Sequence, residues 1–492
     1  MPGTFLRDSV RYLPAVVVPA AVGAIGIPIL TRRLDLDQYG DFGLVLSLVG
    51  ILSAITLWLP SSIIRFYPEY EAQNRLDRFY PTVGRLWLAS TAATSGLWFL
   101  TLAVVGGGIR SRLVPALIAG GLLLLASDAF GLLASLLRAR RQVGWNSFGE
   151  VWRAVFGLAV GVALISWLDW GAGAAVGGMV VATFAVLPIL SGRLPLRSLF
   201  GGRVFDRELA RQLGRYAFPL VIGAASAWLL RLSDRVIING LRGADENGIY
   251  IASYKIADSS VGLVVQLFQL PFVVLANRIW EREGETAAAG FVSRVARYYL
   301  VVAIPAAVGI SLLAQQIVRL ATDRKYWEGF QVVPPVAAAA VLLGLQYWFL
   351  SAFMFKKIMS RYTIAVGLGA AANIGMNLAL VDRYGYVAAG WSTLVGYAVA
   401  LAAMVTLAGR HFRWPFPWST LARVLVASAA MAAAVYAIGR RKSGSDWQAV
   451  LIGIPVGIAV YGGVLAGVGE LRRHEWDSLR RLLVRAGLPG GG

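Results

Sequence analysis

Cysteine is absent from the 492-residue chain, and histidine occurs only at His411 and His474. Disulfides, thiolate metal sites and thiol nucleophiles are therefore excluded, and histidine-based catalysis is nearly so. Charge is scarce as well: 15% of the residues are Asp, Glu, Lys or Arg, where a soluble protein carries about a quarter. Against this stand 58% hydrophobic residues and a mean hydropathy of +0.66. The apolar residues are massed in long blocks, not spaced at helix or strand period, which excludes an ordinary soluble protein and leaves no room for a large water-soluble domain.

Cutting these blocks at charged or turn-rich stretches predicts about fourteen membrane-spanning helices. They lie at 12–30, 42–64, 86–109, 113–137, 150–168, 171–190, 217–240, 249–276, 296–320, 330–355, 362–380, 386–408, 422–438 and 448–469. The first follows Arg7 and Arg11 but runs into Thr31-Arg32-Arg33 without a small-residue cleavage site, so it reads as a helix and not as a signal peptide.

Acidic residues are the scarcer sign, 26 against 46 Lys and Arg, for a net charge of +20. The excess sits in alternate loops, with roughly three times as many Lys and Arg on one side as on the other, which predicts both termini in the cytoplasm. An anionic membrane surface accounts for the positive balance, and nucleic acid is not needed as a partner.

Repetition is legible. Arg11-Tyr12 and Pro14 ahead of the first span match Arg215-Tyr216 and Pro219 ahead of the seventh, and each of those spans ends in a short acidic, Gly-containing turn, 34–40 and 241–248. Gly171-Ala172-Gly173-Ala174-Ala175 pairs similarly with Gly385-Tyr386-Val387-Ala388-Ala389. The expected organisation is a half over 1–190, a basic linker over 191–216 lying as an amphipathic helix on the cytoplasmic leaflet, a second half over 217–408, two added helices over 409–469 and a tail over 470–492. The fold class is all-α and polytopic, and the small-residue surfaces of the added helices could flank a groove for a lipid tail.

Five ionisable residues fall within the seventh and eighth spans: Arg231, Asp234, Arg235, Lys255 and Asp258. The i, i+3, i+4 spacing predicts that Arg231, Asp234 and Arg235 share a helical face. Counting from the turn at 241–248 puts Arg231 level with Asp258 and Arg235 level with Lys255. Two readings stay open: mutually neutralising ion pairs with snorkelling ends, or a cavity wall whose surplus positive charge attracts an anion while Asp234 or Asp258 exchanges a proton or Na⁺. Asp128, inside the fourth span, could face the same cavity. Arg65 sits at a span end among aromatic residues. Gln266, Gln269, Asn373 and Asn377 read as interhelical glue. Asp35-Leu36-Asp37 has the acidic spacing of a metal-dependent glycosyltransferase, but its loop is too short to hold an acceptor, and an N-cap for the second span is the better account.

The stretch Ile29 to Leu44, with Thr31-Arg32-Arg33-Leu34-Asp35 and Gln38-Tyr39-Gly40, resembles the opening of Wzx-type polysaccharide flippases of the multidrug/oligosaccharidyl-lipid/polysaccharide (MOP) exporter superfamily. Leu232-Ser233-Asp234-Arg235, Gly248 to Ala257 and Tyr384 to Trp391 are similar to that family's second half. The resemblance implies a MATE/MOP-like fold and an alternating-access transporter with no catalytic residues, metal or cofactor. Its implied cargo is an undecaprenyl-pyrophosphate-linked oligosaccharide, and its implied partners are membrane lipids, an H⁺ or Na⁺ gradient and other polysaccharide-assembly membrane proteins of the cytoplasmic membrane. It matches Arg235 and Lys255 by motif to cavity cations, and Arg231 and Arg65 join them as candidate substrate-binding residues; Asp234, Asp258 and Asp128 are the candidate coupling-ion residues. The lipid II branch carries arginines inside its first helix, whereas 12–30 has no charge here, so peptidoglycan precursor is not assigned as cargo. A cation-coupled multidrug antiporter and a polytopic glycosyltransferase or polymerase are the alternatives.

Overall fold

The computed structural model describes residues 2–470, apart from 109, 203, 357 and 442–444. The described residues hold helices and no strand. In the first half run α1 (Pro2–Thr31), α2 (Leu36–Thr56), α3 (Trp58–Ala72), α4 (Leu76–Val105), α5 (Val114–Ala139), α6 (Val143–Trp167) and α7 (Ala172–Ser191), followed by the short α8 (Leu196–Gly201). The second half comprises α9 (Arg207–Arg242), α10 (Ala244–Leu312), α11 (Ala314–Ala321), a 3₁₀ segment Arg324–Val332, α12 (Val333–Phe355), α13 (Met359–Tyr384) and α14 (Tyr386–Ala408). The added pair is α15 (Trp418–Arg441) and α16 (Asp446–Gly467). Thirteen helices among the described residues are long and apolar enough to cross a membrane. Gly284 bends α10 into two arms, and the arm before it, with Lys255 and Asp258, brings the set to the expected number of about fourteen.

The helices pair in a repeated pattern. In the first half α1 packs on α6, α6 on α7 and α5 on α7; in the second, α9 packs on α13, α13 on α14 and α12 on α14. The glycine pair seen in the sequence opens equivalent helices: Gly171 precedes α7 with φ +47° and Gly385 precedes α14 with φ +68°, positive-φ conformations that cost an L side chain roughly 1–3 kcal/mol. Both inner pairs also meet through bare backbone. A Cβ on Gly178 would lie 2.1 Å from the Gly161 nitrogen, and one on Gly369 would lie 2.6 Å from the Gly396 carbonyl. In lipid, where no hydrophobic drive holds helices together, such close approach maximises van der Waals contact.

The turns fall at two ends of the bundle. At the first end, holding the 32–35 and 243 turns, α2 meets α10 backbone to backbone: a Cβ on Gly40 would stand 1.9 Å from the Ala244 carbonyl oxygen, and one on Gly248 would stand 2.3 Å from that of Leu36. Asn247 Nδ2 donates to the Gly40 carbonyl at 3.1 Å, and Lys325 Nζ reaches Asp35 Oδ1 at 2.9 Å. One apolar core spans both halves here, with Leu34, Tyr39, Phe42, Tyr250, Ile251 and Tyr326. Toward the second end the core divides into one cluster per half. Asp35 is the N-cap of α2, its backbone N–H donating to Gln38 Oε1 at 3.2 Å.

Residues 191–216, expected as one amphipathic helix, do not form a single helix. They break into α8 and the first turns of α9, and Leu209 and Leu213, the apolar stripe of that segment, are buried against Leu59, Ile63 and Tyr67 of α3. Of the expected tail over 470–492, only Glu470 lies within the described residues; His474 lies outside them.

Candidate functional site

The antiparallel α9 and α10 are joined through Gly243 alone, so residues at similar distances from it come roughly level. Arg231 Nη2 accordingly donates to Asp258 Oδ2 at 2.8 Å, and this pair remains partly open, with 42% and 27% of the two side chains exposed. Arg235, one turn nearer Gly243, crosses to the first half: Nη1 donates to Ser47 Oγ of α2 at 3.4 Å and the guanidinium lies 5.1 Å from the Tyr254 ring, while Nε has no hydrogen-bond partner. Arg235 also repels Lys255. Among the described residues Lys255 makes no ion pair or hydrogen bond.

Lys255 instead reaches into a cavity of about 270 Å³ in the first half, bounded by α1, α6 and α7. Gly23 and Gly26 form the α1 wall, and a Cβ on Gly23 would sit 3.8 Å from Lys255 Cε. The same cavity holds Arg153 of α6, whose guanidinium lies 4.2 Å from the Phe130 ring and donates to Thr183 Oγ1 at 3.2 Å and Ser127 Oγ at 3.3 Å. Otherwise the lining is apolar, with Leu158 and Met179. A second cavity of about 90 Å³ lies in the other half, where Arg231 meets Gln346, Tyr347, Tyr362 and Tyr397. Sequence reasoning missed Arg153 by placing it in a loop. The helix begins at Val143, and Trp145, an interfacial residue type, marks a helix end two turns earlier than the apolar block does.

Asp234 is not in the cavity wall. It is fully buried between α9, α10 and α14, accepting from the Tyr250 hydroxyl, from Thr393 Oγ1 at 3.4 Å and from the Arg235 backbone N–H at 2.8 Å. Neighbouring residues of a helix point about 100° apart, so Asp234 and Arg235 diverge and the expected common face breaks. A polar chain continues from Thr393: Asn373 Nδ2 donates to it at 3.5 Å, and Asn373 Oδ1 accepts from Ser233 and from Asn377, each at 3.2 Å. Asn377 Oδ1 has no partner. Asp128 is buried on α5 and apart from this group, and Arg65 is exposed on α3 beside Phe66, with no ion pair or hydrogen bond among the described residues linking it to the cavity cations.

The arrangement is a bundle whose halves meet backbone to backbone at the first end, with Lys255 and Arg153 lining a cavity in one half and Arg231 lining a cavity in the other. It is similar to the lipid II flippase MurJ in an inward closed conformation, at 13% identity and a TM-score of 0.74 over 93% of this chain and 98% of that one. It is also similar to an inward-facing multidrug resistance MATE family transporter of the MOP superfamily, at 12% identity and a TM-score of 0.66 over 81% and 97% of the two chains. An uncharacterised membrane protein of Methanocaldococcus jannaschii is 20% identical over 391 residues, 73% of this chain and 75% of that protein. Residues 5–273, more than half of the chain, match the family described as polysaccharide biosynthesis protein. With that match and this helix arrangement, the chain belongs to the polysaccharide biosynthesis protein family and has the fold of the MOP superfamily.

Proposed function

We propose that the chain is an alternating-access flippase that moves an undecaprenyl-pyrophosphate-linked oligosaccharide from the inner to the outer leaflet of the cytoplasmic membrane. The observation that carries this reading is Lys255, a cation at membrane depth with no ion pair or hydrogen bond among the described residues, opening into the cavity shared with Arg153. Among the described residues Lys255 has no ion pair and Arg153 only a long one, to Glu150 Oε2 at 3.9 Å, so the chamber keeps a positive excess that is costly at membrane depth, and a diphosphate would offset that cost through charge-assisted hydrogen bonds. Asp258 competes with such a cargo for Arg231, so the ion pair would open as phosphate arrives. The apolar groove of about 580 Å³ between the second arm of α10 and α15–α16, lined by Val301, Pro305, Ile310, Met431 and Ile458, suits the polyprenyl tail. Where the lipid II branch carries arginines on its first helix, α1 presents Gly23 and Gly26 here and the cations come from α6 and α10. The multidrug antiporter reading is weaker, because its cavity would be dominated by carboxylates and, among the described residues, no carboxylate lines either cavity here.

Single Lys255→Ala, Arg153→Gln and Arg231→Gln variants should lower glycan export at least about tenfold while accumulating normally in the membrane. Arg65→Ala, on an exposed face, should change it less. Normal export by Lys255→Ala would remove the reading. Orientation is tested separately: a reporter at Gly202 should read cytoplasmic and one inserted at Gly243 external.

Coupling is assigned to Asp234. Its carboxylate, Thr393 Oγ1, Asn373 Oδ1 and the unpartnered Asn377 Oδ1 gather oxygen ligands of the kind a hard monovalent cation takes. Asp234→Asn should bind cargo in proteoliposomes but lose its response to an imposed Na⁺ or pH gradient. A variant still driven by both would move coupling to Asp258.

A further inference from the structure

Asp128 stands beside a further, separate chamber. The residue is 7% exposed and lies near the middle of α5, at membrane depth. Thr56 Oγ1 donates to its Oδ1 at 2.7 Å. Its Oδ2 makes no hydrogen bond of good geometry although the hydroxyls of Thr91 and Thr94 stand beside it, and Thr91 Oγ1 is itself without a partner. No cation pairs with Asp128 among the described residues. An isolated ionised carboxylate cannot persist in that setting without a counter-charge.

The surroundings supply more than neutrality would need. Asp128 borders a cavity of about 80 Å³ lined by the hydroxyl residues Ser53, Thr56, Ser90, Thr91 and Ser127, room for a cation with a water or two. The helix on the other side loses one backbone hydrogen bond there: between α2 and α3, Leu57 keeps helical φ/ψ and bonds to Ser53 and Ser61 on either side. Pro60, also in the cavity wall, has no N–H to close onto the Thr56 carbonyl four residues back. The Thr56 carbonyl is thereby left without its i+4 backbone donor, on the residue whose hydroxyl reaches the carboxylate. A carboxyl that only had to be neutral would need a proton and one acceptor, and neither a chamber nor a ring of oxygens.

We propose that Asp128, with Thr91 and the Thr56 carbonyl, binds a Na⁺ ion in a site separate from Asp234. One carboxylate suits a monovalent ion, whereas divalent ions draw on more carboxylates. Ser127 lines this chamber and accepts from Arg153, so the site adjoins the anion cavity. Equilibrium binding of radioactive sodium to the purified full chain tests it. The unaltered protein should bind two ions per chain, Asp128→Asn one, and Asp234→Asn one. Thr91→Ala, which keeps the carboxylate and guards against a misfolded Asp128 variant, should weaken one of the two by about tenfold. Loss of all binding in Asp234→Asn, or binding unaltered by both Asp128→Asn and Thr91→Ala, would overturn the proposal. Full binding in Asp234→Asn with one ion lost in Asp128→Asn would sink the Asp234 assignment alone.

Discussion

Replacing Gly40 with valine should nearly abolish transport while leaving the two halves individually folded. Its Cβ would fall 1.9 Å from the Ala244 carbonyl, and the obstacle is backbone, which cannot swing aside as a flexible side chain does. Either α2 and α10 separate at the first end, or both helices distort. Overpacking of this kind costs about 1–3 kcal/mol or more, and at 1.4 kcal/mol per decade the closed population falls up to about a hundredfold. The lack of cysteine makes the test clean: Asp35→Cys with Lys325→Cys introduces the sole thiol pair, at positions whose native side chains touch at 2.9 Å. A short thiol cross-linker should join them efficiently in the parent and poorly when Gly40→Val is added. Equal cross-linking in both would mean that the glycine contact does not hold the first end shut. Gly248→Val should behave alike, since it is the equivalent residue of the second half and meets the Leu36 carbonyl.

Glu470→Gln should be the most destabilising polar substitution at the second end. Glu470 follows α16 and is 2% exposed; it accepts from Arg297 Nε at 2.6 Å, Thr420 Oγ1 at 2.6 Å and Arg423 Nη1 at 3.0 Å. These bonds tie the end of α16 to the second arm of α10 and to α15. Removing the carboxylate that two guanidiniums share costs about 3–5 kcal/mol, visible as a lower melting temperature in detergent. Burial alone would raise the Glu470 pKa, but the hydrogen bonds from Arg297, Thr420 and Arg423 outweigh it and hold the carboxyl below its usual range. A depressed folded pKa means the stabilisation is present above the unfolded value, about 4.3, and is lost as pH falls through the folded one. The melting difference between parent and Glu470→Gln should therefore be full at neutral pH and shrink below about pH 4. A difference that stays constant to low pH would show the carboxylate charge to be irrelevant.

Several features were legible before any coordinates. The apolar blocks set the helices, because a chain in lipid must satisfy its backbone within each segment. The repeat was readable through glycine: Gly171 and Gly385 take positive φ at equivalent helix starts, and Gly40 and Gly248 mark equivalent close approaches. Even the Arg231–Asp258 pair could be counted from the turn, since an antiparallel helix pair fixes which residues lie level.

What the sequence could not give was direction and company. Asp234 and Arg235 are adjacent in sequence, yet one is sealed among Tyr250, Thr393 and the Asn373–Asn377 pair while the other crosses to Ser47, because the rotation of α9 is set by α10, α13 and α14 packed around it. Arg153 read as a loop residue until α6 proved to begin at Val143 and carried it into the chamber with Lys255, from a distant part of the chain. Leu209 and Leu213 show the same limit, their stripe packing against α3. Composition and periodicity determine which segments enter the membrane, since that depends on transfer of each segment from water. Which charges are sealed, paired or left open depends on helix rotation and on contacts between residues far apart in sequence, and only the assembled bundle decides that.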